Sequence, residues 1–422
     1  MHARAPSNAY WALARREATG RRTYGPMLTR KTLSLRQVLR EETGGVLLGF
    51  SSDGNFLVYC ISLDTCYEVQ WRRVDFQDFY SWSEHGEAPE IVFKLRVDGG
   101  ASAYGVCTPV EVWQSADDAL VLAMTMESLG EEQDSFRLSR VVVAPSPVFD
   151  GGGNAVAVTS LSFEFSQHAL SQKLEKWQLL QLARGTKHVY HLLVITGTTL
   201  HVLVFHAWRR RQKVAPTADR EDDMPPRGLG FSHFPQNAWY YPPVYPIKFQ
   251  NSTEHRQHGA DLGGSFTAGV ECICQHLFDV ERFLGEFLET FKPLQHYNLV
   301  DYDLRLVRAS MAEKTVFMIY VMALAPSSTV STRPGNQHLR VALFLSLELF
   351  TGAHHIIRAL KVPGNGDLRH ISQAVARRFR ADLNGRLPQE PTTLAWDNEA
   401  FLREESLHEL HNSRYPTSIS GT

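Results

Sequence analysis

Short apolar runs separated by turn residues dominate the chain from residue 46 onward. In the first half, each run is too short for a typical helix and long enough for a strand. The runs cover residues 46–50, 56–61, 67–74, 91–97, 106–113, 119–124 and 136–143. Short runs at this close spacing predict antiparallel β-sheets.

A longer apolar run at residues 189–208 superficially resembles a membrane span, because arginines follow it at 209–211. Three histidines lie within it, and Thr-Gly-Thr-Thr at residues 196–199 interrupts its centre. A span of about 20 residues tolerates few such groups. The run therefore predicts a β-hairpin that turns near residues 196–199.

The segment LGFSSDGNFLVY at residues 48–59 has an echo in WQSADDALV at residues 113–121. In both, an aromatic residue precedes a polar turn, and a strand follows at the same offset. The aligned pairs are Phe50 with Trp113, Ser52 with Ser115, Leu57 with Leu120 and Val58 with Val121. Asp, Asn and Gly suit tight turns, and repeated units of this kind are typical of propeller blades.

Helical periodicity appears near the start of the chain and in its second half. Within residues 27–42, the apolar residues that share one face of a predicted helix are Leu28, Leu33, Leu35, Val38 and Leu39. A second predicted helix covers residues 276–291 and has a broad apolar face. Strands then follow at residues 303–308, 316–324, 339–349 and 356–362, and helices at 371–383 and 398–410. The predicted fold class is mainly β with accessory helices.

These patterns divide the chain into five predicted parts. They are a disordered basic arm at 1–25, a helical element at 26–45, an N-terminal β domain at 46–208, a Pro/Tyr-rich linker at 209–262 and a C-terminal α+β domain at 263–422. We interpret the linker as packed along the domain surface. The alternative is a docking strip for a partner, formed by Tyr240, Tyr241 and Tyr245 among prolines.

Composition and charge narrow the class of protein. With 422 residues, 43% of them hydrophobic and 21% charged, the chain is an ordinary globular protein. Its net charge of -2 gives no field that attracts nucleic acid or an anionic membrane, so we expect neither as a partner. Five cysteines form an odd and sparse set, which favours the cytoplasm or nucleus over an oxidising compartment.

Motifs that carry chemistry are weak. The sequence HELH at residues 408–411 is one residue short of the HExxH zinc motif, and Cys272, Cys274 and His276 lack a second ligand pair. The segment GFSSDG at 49–54 is not the GxSxG nucleophile elbow, because its second glycine comes one place late. We therefore predict a binding protein without a cofactor or metal. A zinc-dependent hydrolase using His408, His411 and Cys272 or Cys274 is the alternative from another functional class.

Seven motifs stand in an order that resembles a known family. They are LGFSSDGNFLVY at 48–59, YGVCTPVEVWQSADDALVLA at 104–123, FRLSRVVVAPSP at 136–147, FDVERFLGEFL at 278–288, DYDLRLV at 301–307, LSLELFTG at 345–352 and DNEAF at 397–401. This order resembles the atypical WD40-like substrate receptors of cullin-4 RING E3 ubiquitin ligases, specifically the family of the DDB- and cullin-4-associated factor fifteen.

The resemblance implies an open, WD40/propeller-like pair of antiparallel β domains and a non-catalytic receptor subunit. The helical element at residues 26–45 would bind the DNA-damage-binding adaptor protein of the ligase. A shallow groove would bind a protein substrate, and the residues lining it would be Trp177, Leu180, Asp303, Arg305, Val375 and Phe379. The alternative within the same ligase is a de-etiolated-type regulatory component.

Overall fold

Most of the strands that the structure describes belong to three sheets. The computed structural model describes residues 31–34, 45–51, 53–63, 66–73, 90–98, 110–115, 117–129, 136–148, 156–168, 177–181, 188–196, 199–211, 239–254, 266–310, 315–326, 338–349, 352–363, 367–384, 394–397, 409–411 and 417–420. These residues form sheets of eleven, four, four and three strands together with two α-helices and one short 3-10 helix. The fold is mainly β with accessory helices, as the apolar runs predict.

In chain order the strands are β1 (Lys31–Ser34), β2 (Gly45–Phe50), β3 (Phe56–Ser62), β4 (Cys66–Arg73), β5 (Ile91–Asp98), β6 (Val110–Gln114), β7 (Leu120–Leu129), β8 (Phe136–Pro145), β9 (Val158–His168), β10 (Trp177–Gln181), β11 (Val189–Thr196), β12 (Thr199–Arg211), β13 (Tyr240–Tyr241), β14 (Gln250–Glu254), β15 (Phe266–Asp279), β16 (Tyr297–Ser310), β17 (Thr315–Pro326), β18 (Leu339–Glu348), β19 (His354–Lys361), β20 (Leu394–Asp397), β21 (Glu409–His411) and β22 (Thr417–Ser420). The helices are α1 (Val280–Thr290) and α2 (Leu368–Asn384), and the 3-10 helix is Lys292–Leu294.

Strands β2 to β5 form the N-terminal sheet, antiparallel and in chain order. One face of it is apolar, and the rings of Trp71 and Phe93 meet edge to face there with centroids 5.3 Å apart. This face shares a core with Val112, Val121 and Val142, which lie on β6, β7 and β8. The N-terminal sheet therefore packs against one face of the eleven-stranded sheet.

The eleven-stranded sheet has the order β10-β11-β12-β15-β9-β8-β7-β6-β20, with β13 beside β15 and β14 beside β9. Strands β11 and β12 pair antiparallel from Val189↔His206 to Thr196↔Thr199. The predicted hairpin at residues 189–208 is confirmed. No helix among the described residues is long and apolar enough to cross a membrane.

This large sheet curls into a half-barrel. The side chains on its concave face form one continuous core from Trp113 on β6 to Tyr190 on β11. The hydroxyl of Tyr190 donates a hydrogen bond of 2.6 Å to Asp117 Oδ2, in the turn between β6 and β7. Five strands, β12, β15, β9, β8 and β7, lie between β11 and β6 in the sheet order. A flat sheet would hold these groups far apart, since neighbouring strands are about 4.8 Å apart.

Strands β16 to β19 form the C-terminal sheet, also antiparallel and in chain order. Its inner face packs with α1 and with β11 and β12 in the largest apolar core. Helix α1 begins at its N-cap Asp279, whose Oδ1 accepts the Arg282 N–H at 3.0 Å. Its buried face comprises Val280, Phe283, Leu284, Phe287 and Leu288, as the periodicity predicts. Helix α2 covers the outer face, where Phe379 contacts Phe344 with ring centroids 4.2 Å apart.

The three-stranded sheet joins the two ends of the chain. Strand β1 pairs parallel with β22, from Lys31↔Thr417 to Ser34↔Ser420. The predicted N-terminal helix is therefore wrong over Lys31–Ser34, where the strand pairing satisfies backbone groups that a helix would otherwise use. Leu33 lies on β1, while Leu28, Leu35, Val38 and Leu39 lie outside the described residues.

The predicted helix at residues 398–410 is also wrong where the structure describes it, because residues 409–410 belong to β21. Strand β21 pairs antiparallel with β22, with Leu410 opposite Ile419. Pairing with the nearby β22, which in turn pairs with the distant β1, overrides the local helical pattern in this region.

Both halves of the chain contribute to the large sheet. Strand β15 pairs with β12 along its whole length, and β20 pairs with β6. Residues 239–254, within the predicted linker, supply β13 and β14 to the same sheet. The predicted boundaries at 208 and 263 therefore separate strands that are hydrogen-bonded to one another.

Candidate functional site

The turn between β2 and β3 is organised around Ser51. The Ser51 hydroxyl accepts the Phe56 N–H at 3.0 Å and donates to Asp53 Oδ1 at 2.5 Å. Asp53 Oδ1 also accepts the Asn55 N–H at 3.0 Å. The Gly54 N–H donates to the Ser51 carbonyl at 2.8 Å, and Gly54 has a φ of 72°. This left-handed angle explains the Asp-Gly pair in the sequence.

The turn between β6 and β7 repeats this arrangement around Ser115. The Ser115 hydroxyl accepts the Leu120 N–H at 2.9 Å and donates to Asp117 Oδ1 at 2.6 Å. Asp117 Oδ1 accepts the Ala119 N–H at 3.2 Å. Asp118 donates its N–H to the Ser115 carbonyl at 2.9 Å and has a φ of 58°. The two turns therefore match group by group, although they lie in different sheets.

The matching residues differ from the predicted alignment by one position. Ser51 corresponds to Ser115 and Asp53 to Asp117, whereas the sequence comparison paired Ser52 with Ser115. The sequence alignment pairs the apolar residues Leu57 and Leu120. In the structure the counterpart of Leu120 is Phe56, because each of these two donates its N–H to the serine hydroxyl of its turn. Among the residues that the structure describes, each hydroxyl is held by a carboxylate and a backbone amide and not by a histidine, so neither serine has a nucleophile's surroundings.

Four of the predicted groove residues lie close together between β16 and α2. Arg305 Nε donates to Asp303 Oδ2 at 2.9 Å and to Ser372 Oγ at 3.2 Å, and the Ser372 hydroxyl donates to Asp303. Val375 and Phe379 are half-buried beside this group and pack onto the apolar outer face of the C-terminal sheet. These contacts attach α2 to the sheet.

Ser372 was not among the predicted site residues. It is fully buried and links the helix to the carboxylate of β16, one helical turn before the predicted Val375 and two before Phe379. A serine that follows Ile371 in an amphipathic helix gives no signal of such a role in sequence. The remaining predicted groove residues, Trp177 and Leu180, lie on β10, the edge strand of the large sheet.

A polar ladder runs along β4 on the face of the N-terminal sheet opposite its core. Lys94 Nζ lies 2.8 Å from Glu68 Oε1, and Gln70 Nε2 donates to the same oxygen at 2.6 Å. Arg72 donates to Gln70 and lies over the ring of Tyr59, 4.6 Å from its centroid. Burial raises the pKa of Glu68, but hydrogen bonds from Lys94 and Gln70 outweigh it and hold that pKa below its ordinary value. In the sequence, the one trace of this buried network is the alternation of polar and apolar residues along β4.

Cysteine and histidine side chains of β15 lie near His191 of β11, across the intervening strand β12. Cys274 Sγ is 3.0 Å from His276 Nε2. Burial raises the pKa of Cys272 to about 12 and of Cys274 to about 11. Burial lowers the pKa of His276 to about 4. The pKa of His191 is lowered to about 3, mainly by burial and also by the neighbouring His276. At neutral pH these thiols and imidazoles are uncharged, and an uncharged thiol is a poor nucleophile.

A metal centre has little support within the part of the chain that the structure describes. No group of three or more His, Cys, Asp or Glu residues there is placed to hold a metal ion. Of the residues in the alternative zinc-hydrolase hypothesis, His411 lies on β21, whereas Cys272 and Cys274 lie on β15. His408 lies outside the described residues.

The segment Trp239–Glu254 contains an exposed loop with fixed ends. Tyr240 is buried and donates its hydroxyl to the Leu349 carbonyl at 2.7 Å. Five residues later, Tyr245 is 91% exposed and Val244 is 77% exposed. At the other end, the Ile247 N–H donates to Gln275 Oε1 at 2.8 Å, and Gln275 Nε2 donates back to the Ile247 carbonyl at 3.0 Å. Of the three tyrosines in the predicted docking strip, Tyr245 is therefore the one that solvent surrounds.

No protein-family model matches the chain, and a search of curated proteins finds no match.

Proposed function

We propose that this chain is a substrate-recognition subunit of a cullin-4 RING E3 ubiquitin ligase, which binds the ligase adaptor and a protein target. The proposal rests on the collinear order of the seven motifs and on the resemblance they carry. The receptor itself performs no chemistry, and other subunits transfer the ubiquitin.

The pair of matching turns is the structural observation that favours the proposal most. Ser51 and Ser115 each close a hairpin with the same set of hydrogen bonds, and both hairpins fall in motifs that carry the resemblance. Repeated strand-turn-strand units are the elements from which propeller-like receptors are built. The proposal includes a propeller-like arrangement of the β domains.

The described chemistry is compatible with a binding role. The predicted groove residues Asp303 and Arg305 are joined by an ion pair with an N–O distance of 2.9 Å and are largely buried. They fix α2 on the sheet, and the exposed side of α2 carries Arg377 and Arg378. In the proposal, α2 is one wall of the substrate groove and the ion pair holds that wall in place.

Adaptor binding gives the most direct test of the proposal. The proposed anchor lies within residues 26–45, so a charge on its apolar residues should abolish binding, because burying an unpaired carboxylate costs far more than an apolar contact gains. We expect the tagged full chain to retain the purified adaptor, and the Leu35→Asp and Leu39→Asp variants to lose it.

Leu63→Asp is the matched control. Leu63 is an exposed leucine in a turn of the N-terminal sheet, so its replacement introduces the same charge without touching the proposed anchor. This variant should bind the adaptor as the unmodified chain does. Intact binding by Leu35→Asp and Leu39→Asp would contradict the anchor, and no binding by the unmodified chain would contradict the proposed function.

A further inference from the structure

The exposed loop at residues 242–246 has the sequence Pro-Pro-Val-Tyr-Pro. Proline fixes φ near -65°, and a residue that precedes proline prefers an extended or polyproline conformation. Tyr241, Pro242 and Tyr245 all precede a proline. The sequence thus favours the polyproline form over Pro242 and Pro243, a form that aromatic-lined grooves recognise, and the chain then bends at Val244 and Tyr245.

The geometry of the loop ends makes it project from the sheet. Tyr241 pairs with Leu277 on β15, and Ile247 is bound by Gln275, two residues earlier on the same strand. Two residues of a strand cover about 7 Å, whereas the five residues between these anchors can span about 17 Å. The chain therefore has far more length than the gap requires, and the excess stands away from β15.

The exposed side chains follow the same pattern. Pro242, Val244, Tyr245 and Pro246 are exposed, and Pro243 is half-buried. On the far side of the loop, Phe249 returns to the concave core of the half-barrel, where its ring centroid is 5.1 Å from that of Phe163. The loop is thus a short, exposed proline-rich segment whose two ends are held by the folded protein.

We propose that this loop is a docking site for a WW-type domain of another protein. Such a domain stacks two successive prolines in an aromatic groove and holds a tyrosine, two positions after the second proline, in a neighbouring pocket. Pro242, Pro243 and Tyr245 supply these groups at that spacing. Because the loop is already held at both ends, less conformational entropy is lost on binding than with a free peptide.

A different proline-recognition module, the SH3 domain, fits the loop less well. Its ligand would use Pro243, Pro246 and the basic Lys248, which spans residues 243–248. Ile247 lies within that span, is half-buried and is fixed by two hydrogen bonds to Gln275. An SH3 domain would have to displace these bonds, whereas the groups needed by a WW-type domain lie in the projecting part.

Titration of the full chain into a fluorescently labelled, isolated WW domain of the class that binds Pro-Pro-x-Tyr peptides tests the proposal. We expect saturable binding, monitored by fluorescence anisotropy. Tyr245→Ala should weaken it by about tenfold or more, because truncating a central aromatic anchor has an effect of this size. Pro242→Ala should also weaken it.

Two exposed positions in the same stretch provide matched controls. Val244→Ala changes the position that the WW-type ligand leaves free, and Lys248→Ala removes the cation that an SH3 domain needs. Both should bind the WW domain within about twofold of the unmodified chain, a difference too small to mark an energetic anchor. Circular dichroism and thermal melting of each variant report whether the fold is retained.

Three results would overturn the proposal. They are the absence of binding by the unmodified chain, equal binding by a folded Tyr245→Ala variant, and loss of binding in Lys248→Ala with retention in Tyr245→Ala. The last result would place the binding anchor at Lys248 and not at Tyr245. Adaptor binding does not enter this experiment, so its outcome is independent of the proposed ligase function.

Discussion

Replacing Ser115 by alanine removes a hydroxyl that joins the two strands of the β6–β7 turn. The Ser115 Oγ accepts the N–H groups of Leu120 at 2.9 Å and Ala119 at 3.2 Å, and it donates to Asp117 Oδ1 at 2.6 Å. Ser115 is 2% exposed and Leu120 is fully buried. In the variant, Ala119 keeps its bond to Asp117, but the buried Leu120 N–H loses the acceptor that the serine provides.

The expected cost follows from that single buried donor. An unsatisfied buried hydrogen-bonding group costs about 1–3 kcal/mol, so Ser115→Ala should lower the free energy of unfolding by about that amount. If amide exchange proceeds through local opening of the turn, the same cost accelerates exchange at Leu120 by roughly fivefold to 150-fold. Ser51→Ala should fall in the same range, because its hydroxyl accepts the Phe56 N–H in the corresponding position.

Urea unfolding and hydrogen exchange measured by mass spectrometry on the full chain check this prediction. Ser62→Ala is the control, since Ser62 is an exposed serine at the end of β3. Its effect should lie within about 0.5 kcal/mol, as for most surface substitutions. If Ser115→Ala unfolds at the same urea concentration as Ser62→Ala and exchanges no faster at the turn, the assigned role of the hydroxyl is refuted.

Two further predictions concern packing and pH. A Cβ on Gly269 would lie 2.3 Å from the Trp208 ring, so Gly269→Ala should destabilise the protein by about 1–3 kcal/mol. Gly285 lies on helix α1, and a Cβ there would have no atom within 4 Å, so Gly285→Ala should stabilise the protein by about 1 kcal/mol. Equal urea midpoints for the two variants would contradict this prediction. Burial lowers the pKa of His191 to about 3 and of His276 to about 4, so the unfolded chain binds protons between pH 6.5 and 4 that the folded chain does not. The free energy of unfolding should therefore fall as pH drops through that window, by about 1.4 kcal/mol per pH unit for each histidine. The His191→Leu variant should show a smaller slope of unfolding free energy against pH. An unchanged slope in this variant would contradict the reasoning.

Local patterns in the sequence were sufficient where strands pair with chain neighbours. The β11–β12 hairpin is an example, because Thr-Gly-Thr-Thr interrupts an otherwise continuous apolar run and the two strands pair directly across it. Helix α1 is another, since its apolar face has the helical period. Its start was predicted four residues early, at His276, because β15 is also apolar up to the N-cap Asp279.

Pairings between distant segments were not predictable in the same way. Nothing in residues 31–34 identifies Thr417–Ser420 as their strand partner, so the helical spacing of the leucines prevailed in the prediction. Tyr240 looks like linker sequence among prolines, yet it is buried against Phe278 and the C-terminal sheet. Contacts of this range depend on the assembled sheets and leave little trace in local periodicity.

In the candidate groove, too, the local elements were predictable and the contacts between distant segments were not. Val375 and Phe379 were predicted on a helix and lie on α2, and Asp303 and Arg305 were predicted on a strand and lie on β16. The link between α2 and β16 through the buried Ser372 is visible only in the structure, because that serine lies 67 residues from Arg305 along the chain. The same holds for the exposed Tyr245, which composition alone does not distinguish from the buried Tyr240.

The central claim is that the chain is a receptor subunit joined to the cullin-4 ligase through its adaptor. Light scattering coupled to size-exclusion chromatography, on the purified full chain mixed with the purified adaptor, tests it most directly. The account predicts a single complex with the summed mass of one receptor and one adaptor, to which cullin-4 then adds. Two separate peaks at the masses of the individual proteins, from samples that are both folded, would contradict it.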